Sequence, residues 1–242
     1  MTILPPPPAL DHQAALFLDF DGTLIELAER PDAIHVPARL GPLLARLRET
    51  LGGRLAIVSG RALSELERYL PHSRIVFCGS HGLEFGTADG SRMPLSPPPG
   101  LSDLRERVRA FADDREGVLV EEKPAGVALH FRQAPAQASA VAEFMAGLAE
   151  KERLVVQPGN MVVELRPAGA NKGDAIRRLM DEEPFRGATP FFIGDDLTDE
   201  DGFTVAAELG GAGVLVGVER ATAARYRLAS VQAVADWLER QA

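Results

Sequence analysis

A pair of acidic residues directly after a short apolar run is the feature that most constrains this chain. Residues 14–18, with the sequence AALFL, are short enough for a buried strand, and Asp19 and Asp21 follow at once in the segment DFDGT. In an open α/β sheet, ligands bind at the edge formed by the carboxyl ends of the strands. Two buried carboxylates one residue apart repel each other unless a positive group lies between them, and a divalent cation is the simplest such group. The alternative is an exposed Asp-Gly turn with hydrated carboxylates.

The first hundred residues alternate between strand and helix patterns. Apolar runs at 14–18, 55–58 and 75–78 predict buried strands, and the leucine spacing at 37–51 and 62–70 predicts helices between them. The same alternation resumes after residue 167, with a helix from about residue 171, strands at 191–193 and 214–216, and a terminal helix through Val234 and Trp237. This order predicts an α/β fold with a doubly wound parallel sheet.

A segment of different character interrupts this core. Residues 83–95 predict a hairpin turning at 88–90, and the SPPPG stretch at 96–100 is typical of a stiff linker. A helix from 101, a hairpin at 118–132, a helix at 136–151 and a hairpin at 154–165 follow, which indicates an antiparallel α+β unit. We therefore predict a smaller α+β cap domain, residues 98–167, inserted into a core made of residues 1–97 and 168–242. The chain crosses between them at 96–100 and 167–169, which are the predicted hinges.

Composition excludes some partners. The 242 residues carry a formal net charge of −9, so a nucleic-acid backbone would meet repulsion over most of the surface. The single Cys78 cannot form an intramolecular disulfide, and we expect a buried, inert thiol in a reducing cytoplasm. The start of the chain carries four consecutive prolines and has no basic region typical of a signal peptide, so we expect an extended tail there. We expect no membrane span. The oligomeric state stays open.

Polar groups recur where the predicted core strands end. Ser59 follows the second strand, Lys172 opens a core helix, and a third group of carboxylates follows the strand at 191–193. The carboxylates are Asp195, Asp196 and Asp199. Carboxylates with one lysine and one serine in a single crevice suit Mg²⁺-dependent phosphoryl chemistry, because Mg²⁺ prefers oxygen ligands. The lysine and the serine would hold phosphate oxygens, and a free carboxylate could attack phosphorus.

Four segments, DFDGT, VSGR, NKGDA and GDDLTDED, resemble the four motifs of the haloacid dehalogenase-like (HAD) phosphohydrolases in order and in strand context. The segments GSHGLE, EEKPAGVALHFR and GNMVVELRPAGANKGDAI resemble those of the trehalose-6-phosphate phosphatases. The resemblance implies a HAD-like core with a cap inserted between the second and third motifs. It also implies that Asp19 is the nucleophile and that Asp21 serves as the general acid and then the general base.

The same resemblance implies the binding residues. Ser59, Gly60 and Lys172 would bind phosphate. Asp19, the backbone carbonyl of Asp21 and Asp195 would hold Mg²⁺, while Asp196 and Asp199 either join them or support them.

The predicted strands of the cap carry charged residues on one face. Residues two apart in a strand share a face, so Glu121 lies with Lys123, His130 with Arg132, and Glu164 with Arg166. The resemblance assigns the sugar of the substrate to Glu121, Lys123 and Glu164. We expect His130 and Arg132 either to bind the sugar as well or to support their hairpin. The alternative is that this face is simply the solvated side of a sheet.

The leading hypothesis is a phosphatase that hydrolyses trehalose 6-phosphate to trehalose and phosphate through an aspartyl-phosphate, with a cap that closes over the sugar. A related capped phosphatase acting on sucrose 6-phosphate or mannosyl-3-phosphoglycerate is the alternative. A catalytically inactive regulatory module is disfavoured because Asp19, Asp21, Lys172 and Asp195 are all present. A phosphomutase is disfavoured further.

Overall fold

The computed structural model describes residues 4–28, 30, 33–71, 74–92, 99–152, 154–167 and 171–242. The chain divides into two compact units, one made of Met1–Met93 and Asn171–Ala242 and the other of Pro94–Ala170. The domain limits at 98 and 167 stay a prediction. Most of both predicted hinges, residues 96–98 and 168–169, lies outside the described residues.

The strands and helices are numbered in chain order. The described strands are β1 (Ala14–Leu18), β2 (Leu55–Val58), β3 (Val76–Gly79), β4 (Glu84–Gly86), β5 (Leu119–Lys123), β6 (Gly126–His130), β7 (Leu154–Gly159), β8 (Val162–Pro167), β9 (Thr189–Gly194), β10 (Ala212–Val216) and β11 (Tyr226–Leu228). The described α-helices are α1 (Leu40–Thr50), α2 (Leu63–Tyr69), α3 (Leu101–Asp113), α4 (Ala138–Glu152), α5 (Lys172–Met180), α6 (Glu200–Glu208) and α7 (Val231–Glu239).

Within the described residues, the first unit contains a seven-stranded sheet in the order β11-β10-β9-β1-β2-β3-β4. All neighbouring strands are parallel except β4, which runs antiparallel to β3. β1 lies at the centre, where Leu18 pairs with Ile57 of β2 and with Ile193 of β9. The predicted α/β class is therefore confirmed, and the ends of β1, β2 and β9 form one edge of the sheet.

Apolar side chains cover both faces of this sheet, which explains why β1, β2 and β10 are buried along their whole length. On one face, Leu16 and Leu18 belong to a cluster that includes Leu44 of α1 and Trp237 of α7. On the other face, Phe17 packs in a cluster with Ile176 of α5 and with residues of α6. Parallel strands buried on both faces are expected to be continuous apolar runs, as these are.

The predicted core elements differ from the observed ones in three places. The predicted hairpin at 83–95 has one described strand, β4, which pairs with β3, and a single bridge joins Gly86 to Arg92. The strand β11 was not predicted, because three residues with Arg227 at the centre show no apolar pattern. The proline-rich start, which was expected to be an extended tail, is bound at this strand, since Arg227 N donates to Pro5 O over 2.9 Å.

The second unit contains both predicted hairpins in an antiparallel sheet of order β5-β6-β8-β7. The helices α3 and α4 pack on one face of this sheet, where Val127, Leu129 and Leu165 are buried. The opposite face carries the polar side chains of alternate positions. None of the helices in the described ranges is both long enough and apolar enough to cross a membrane.

Candidate active site

A buried ion-pair cluster lies where α5 begins. Asn171 caps the helix, since its Oδ1 accepts from Asp174 N over 2.8 Å, and this cap fixes the position of Lys172 in the first turn. Lys172 Nζ donates to Asp19 Oδ1 over 2.7 Å and to Asp199 Oδ1 over 2.6 Å. All three side chains are at least 95% buried. The cluster joins the end of β1, the start of α5 and the loop after β9.

The ionisation of this cluster follows from burial and from its charges. Burial raises the pKa of Asp19, as do the charges of Asp199 and Asp195, and these effects together outweigh the positive charge of Lys172. Burial alone would lower the pKa of Lys172, but Asp19 and Asp199 raise it above its usual value, so the ammonium stays charged. A single ammonium therefore faces more negative charge than it can neutralise.

Asp195 supplies a third carboxylate to this edge of the sheet. Burial, followed by the charge of Asp199, raises the pKa of Asp195 to about 7. Its Oδ1 is buried and has no hydrogen-bond partner among the described residues. Gly22 lies directly against it, with φ of +79°, and a Cβ at Gly22 would lie 2.1 Å from Asp195 Oδ2. Only glycine therefore fits at position 22. Oxygen atoms of Asp19, Asp195 and Asp199 lie within 4.8 Å of one another, close enough to share one metal ion.

Asp199 also holds the loop that carries Asp195. Its Oδ2 accepts from Asp195 N over 2.8 Å and from Asp196 N over 2.9 Å. The side chain of Asp196 instead caps the short 3-10 turn Leu197–Asp199, accepting from Leu197 N over 2.6 Å. The three aspartates of this segment thus make different contacts, a distinction that their spacing alone could not show.

Arg220, in the loop after β10, holds the same segment through its backbone. Its Nη2 donates to Asp196 O over 2.8 Å and to Asp195 O over 3.3 Å. Glu200 pairs with Arg220 and also accepts from Ala223 N over 2.8 Å. Arg220 was not predicted, because a lone arginine after a strand carries no recognisable signal.

Asp21 has an unforeseen partner in Arg61, the last residue of the VSGR segment. Arg61 Nε donates to Asp21 Oδ2 over 2.6 Å, and its Nη2 donates to Asp21 Oδ1 over 2.7 Å. Burial would lower the pKa of Arg61, but its hydrogen bonds to Asp21 and the charge of Asp21 raise it. The only signal for this residue was its place beside Ser59 and Gly60 in that segment.

The predicted phosphate-binding residues Ser59 and Gly60 follow β2 at the same edge. Ser59 is buried, and its Oγ accepts from Arg61 N over 3.2 Å. A Cβ on Gly60 would lie 2.7 Å from two ring atoms of His81, so that ring closes one side of the loop. Ser80 and His81 both have positive φ, at 47° and 56°, an arrangement that costs energy and is common at functional sites.

Cys78, at the end of β3, is buried, and burial raises the pKa of its thiol. This agrees with the expectation of an inert thiol.

The second unit contains its own polar cluster, on the face of the sheet opposite α3 and α4. Lys123 Nζ donates to Glu164 Oε2 over 2.5 Å, and both side chains are more than 90% buried. His130 Nε2 lies 2.7 Å from Glu121 Oε2. Burial would raise the pKa of Glu121, but the charge of Lys123 and the contact with His130 lower it. Four of the five predicted residues on this sheet therefore make two side-chain pairs.

Arg132, the fifth, lies beyond the end of β6 and donates to Asn160 O in the turn between β7 and β8 over 3.1 Å. This contact joins the end of β6 to the neighbouring hairpin, and the role of Arg132 stays a prediction. Arg166 and Gln157 form a further pair, which was not predicted, in which Arg166 Nη2 donates to Gln157 Oε1 over 3.0 Å.

Comparison with known proteins identifies the fold and the family. A haloacid dehalogenase-like hydrolase from Bacteroides thetaiotaomicron superposes with a TM-score of 0.65 at 17% identity, over 94% of this chain and 98% of that one. The C. albicans trehalose-6-phosphate phosphatase C-terminal domain superposes with a TM-score of 0.83 at 24% identity, over 97% of each chain. The fold is that of the haloacid dehalogenase-like hydrolases.

The sequence places the chain more narrowly. The trehalose-6-phosphate phosphatase of Escherichia coli (strain K12) is 38% identical over 234 residues, which are 96% of this chain and 88% of that protein. A family model described as Trehalose-phosphatase matches residues 17–232. The chain belongs to the trehalose-phosphatase family.

Proposed function

We propose that this protein hydrolyses trehalose 6-phosphate to trehalose and inorganic phosphate. The observation that carries the proposal is the buried pair of Asp19 and Lys172, with the half-buried Asp195 beside it, at the carboxyl edge of the sheet. An ammonium set among carboxylates is suited to hold a phosphate beside a nucleophilic oxygen. Membership of the trehalose-phosphatase family supports this substrate over sucrose 6-phosphate and mannosyl-3-phosphoglycerate.

Asp19 is the nucleophile of this proposal. Lys172 holds Asp19 Oδ1, which fixes the carboxylate so that an oxygen faces the phosphorus atom. That oxygen forms a bond to phosphorus as the bond from phosphorus to the sugar oxygen breaks, and Asp21 gives a proton to the departing oxygen. Asp21 then takes a proton from water, whose oxygen attacks the aspartyl-phosphate, releasing phosphate and restoring Asp19. Ser59, Gly60 and Lys172 hold the oxygens of the transferred group.

The residues present fit a divalent cation, which we propose is Mg²⁺. The buried Asp195 Oδ1 lacks a hydrogen-bond partner in the described ranges, and the surrounding donors are all hard oxygens. Asp19, Asp195 and the backbone carbonyl of Asp21 would hold the ion. When bound, it would neutralise part of the negative charge of the phosphate and of Asp19.

Asp199 and Asp196 have other roles in this proposal. Both oxygens of Asp199 accept hydrogen bonds, from Lys172 and from two backbone amides, so it orients the lysine and the loop. Asp196 caps the turn that follows.

The second unit would act as the cap that selects the sugar. The short residues Gly126 and Ala128 pair with Lys123 and Glu121 across the sheet, and Ala128 also pairs with Glu164. The side chains of Glu121, Lys123 and Glu164 therefore surround two residues with little or no side chain, which leaves space above the sheet. Sugar hydroxyls bound in that space could donate to the carboxylates and accept from the ammonium. His130 orients Glu121 in this arrangement. A cytoplasmic location, expected from the lone cysteine, belongs to the same proposal.

Phosphate release from a panel of substrates tests the proposal. The panel contains trehalose 6-phosphate, sucrose 6-phosphate, mannosyl-3-phosphoglycerate and glucose 6-phosphate, each with Mg²⁺ and after exhaustive chelation. We expect the highest kcat/KM for trehalose 6-phosphate, and loss of activity on chelation or in Asp19→Asn. A higher kcat/KM for another sugar phosphate would contradict the substrate, and near-normal turnover by Asp19→Asn would contradict the nucleophile.

A further inference from the structure

The contact between Arg61 and Asp21 has a geometry that bears on how Asp21 can work. The guanidinium presents two parallel donors, Nε and Nη2, to the two oxygens of the carboxylate, at 2.6 and 2.7 Å. Such two-pronged contacts are strongly directional, because the planar fork matches the carboxylate in one orientation. The arginine side chain is 8% exposed, whereas that of Asp21 is 29% exposed. Arg61 is therefore enclosed by the protein, whereas the carboxylate of Asp21 is partly accessible to solvent.

Several neighbours hold Arg61 in place. Its backbone N donates to Ser59 Oγ, and its backbone O accepts from Ser80 N over 2.8 Å. Its Nη1 lies 3.4 Å from Glu65 Oε1 in the first turn of α2. The rings of Phe20 and Tyr69 lie 5.9 and 5.5 Å from its Cζ, within the range of cation–π attraction. Because Arg61 is fixed from so many directions, Asp21 is the partner that can turn.

Each oxygen of Asp21 accepts one hydrogen bond from Arg61 and keeps a second lone pair, through which it can exchange a proton with the substrate or with water. We propose that Arg61 is a positioning residue that keeps hold of one oxygen of Asp21 while the other transfers the proton. It would thereby keep Asp21 in one place for both its acid step and its base step. This inference rests on the proposed function, in which Asp21 performs both steps.

The proposal has a consequence for substrates with different leaving groups. A sugar oxygen needs a proton as it departs, whereas p-nitrophenolate departs readily without one. Hydrolysis of the aspartyl-phosphate needs Asp21 as a base with either substrate. A misplaced Asp21 should therefore slow both steps with trehalose 6-phosphate but mainly the second step with p-nitrophenyl phosphate. With the aryl substrate, the aspartyl-phosphate should then accumulate.

A double-mutant cycle tests whether Arg61 acts through Asp21. The variants are Arg61→Lys, Asp21→Asn and their combination, and single-turnover rates are measured with trehalose 6-phosphate and Mg²⁺. Lysine keeps the charge but cannot form the fork. We expect Arg61→Lys to lower the rate about 10- to 100-fold in the wild-type background, since a small misplacement can cost about 100-fold. In the Asp21→Asn background we expect no further loss. With p-nitrophenyl phosphate, the burst of p-nitrophenol should rise in Arg61→Lys.

Arg92 offers a matched control, because it makes a two-pronged contact with Glu67 on the surface of the same unit. Arg92→Ala should leave every rate unchanged, and circular dichroism and thermal unfolding show that each variant folds. Equal fold-losses from Arg61→Lys in both backgrounds would overturn the inference, as would no loss in either. Near-normal rates in Asp21→Asn alone would instead overturn the proposed role of Asp21.

Discussion

Asp199→Ala should destabilise the protein strongly, because Asp199 connects three parts of the candidate site. Its side chain is fully buried and accepts from Lys172 Nζ over 2.6 Å and from the amides of Asp195 and Asp196 over 2.8 and 2.9 Å. Alanine removes all of these acceptors. Lys172 then keeps only Asp19 among its two carboxylate partners in the described structure.

The size of the effect follows from these contacts. Removing one partner of a buried ion pair typically costs about 3–5 kcal/mol in the free energy of unfolding. The ion-pair part should lie below this range, at about 2 kcal/mol, because Lys172 keeps Asp19 and because the change also removes the repulsion between Asp199 and the other two carboxylates. The two amides add about 1 kcal/mol each, at the low end for unsatisfied groups, because their residues are only half-buried. We expect a total loss of about 4 kcal/mol, a large part of the stability of an ordinary domain.

Asp199→Asn separates the two contributions. The amide oxygen can still accept from the backbone amides, while the NH₂ group faces the ammonium of Lys172 and cannot accept from it. The loss in Asp199→Asn should therefore be smaller than in Asp199→Ala, by about the 2 kcal/mol that the two amides contribute.

Urea unfolding followed by circular dichroism measures these losses, with equal m-values as the condition for comparing them. Glu208→Ala is the control, because that carboxylate, paired with Arg177, is 50% exposed and should contribute less than about 1 kcal/mol. A loss below about 1 kcal/mol in Asp199→Ala would refute the reasoning, since the acceptor positions would then be dispensable.

Two further predictions concern the metal and the sugar. Asp195→Ala should abolish Mn²⁺ binding measured by electron paramagnetic resonance, and Arg220→Ala, which frees the backbone of the same loop, should weaken it several-fold; unchanged affinity in both would contradict the metal site. Alanine at Glu121, Lys123 or Glu164 should lower kcat/KM for trehalose 6-phosphate by roughly 10-fold or more, as loss of a buried hydrogen-bonding group costs about 1–3 kcal/mol. The same changes should leave p-nitrophenyl phosphate hydrolysis nearly unchanged; equal losses on both substrates would contradict a role in sugar recognition.

The strands that the sequence predicted are those whose burial requires an unbroken run of apolar residues. The strands β1 and β2 are buried on both faces, so nearly every residue in them is apolar and the run is easily recognised. The strand β11 lies at the edge of the sheet with two of its three residues half-buried, so no such run arises. The return of the hairpin after β4 was predicted because the turn residues at 88–90 are typical of hairpins. Yet β4 satisfies its hydrogen bonds on β3, a choice made by the tertiary structure.

The residues of the candidate site also divide into those that the sequence could predict and those that it could not. Asp19, Lys172 and Asp195 could be predicted because each stands at a strand end or a helix start, where sequence position implies spatial position. Arg61 and Arg220 could not, because each acts on a residue far away in the chain. Arg61 donates to the carboxylate of Asp21, which lies 40 residues before it in the chain. Arg220 donates to the backbone carbonyls of Asp195 and Asp196, and any residue at these positions would supply a carbonyl. Side chains that bind other parts of the candidate site are therefore found only when the fold shows which atoms they reach. For Arg61, the kinetics of the double-mutant cycle test whether its two hydrogen bonds to Asp21 position that carboxylate.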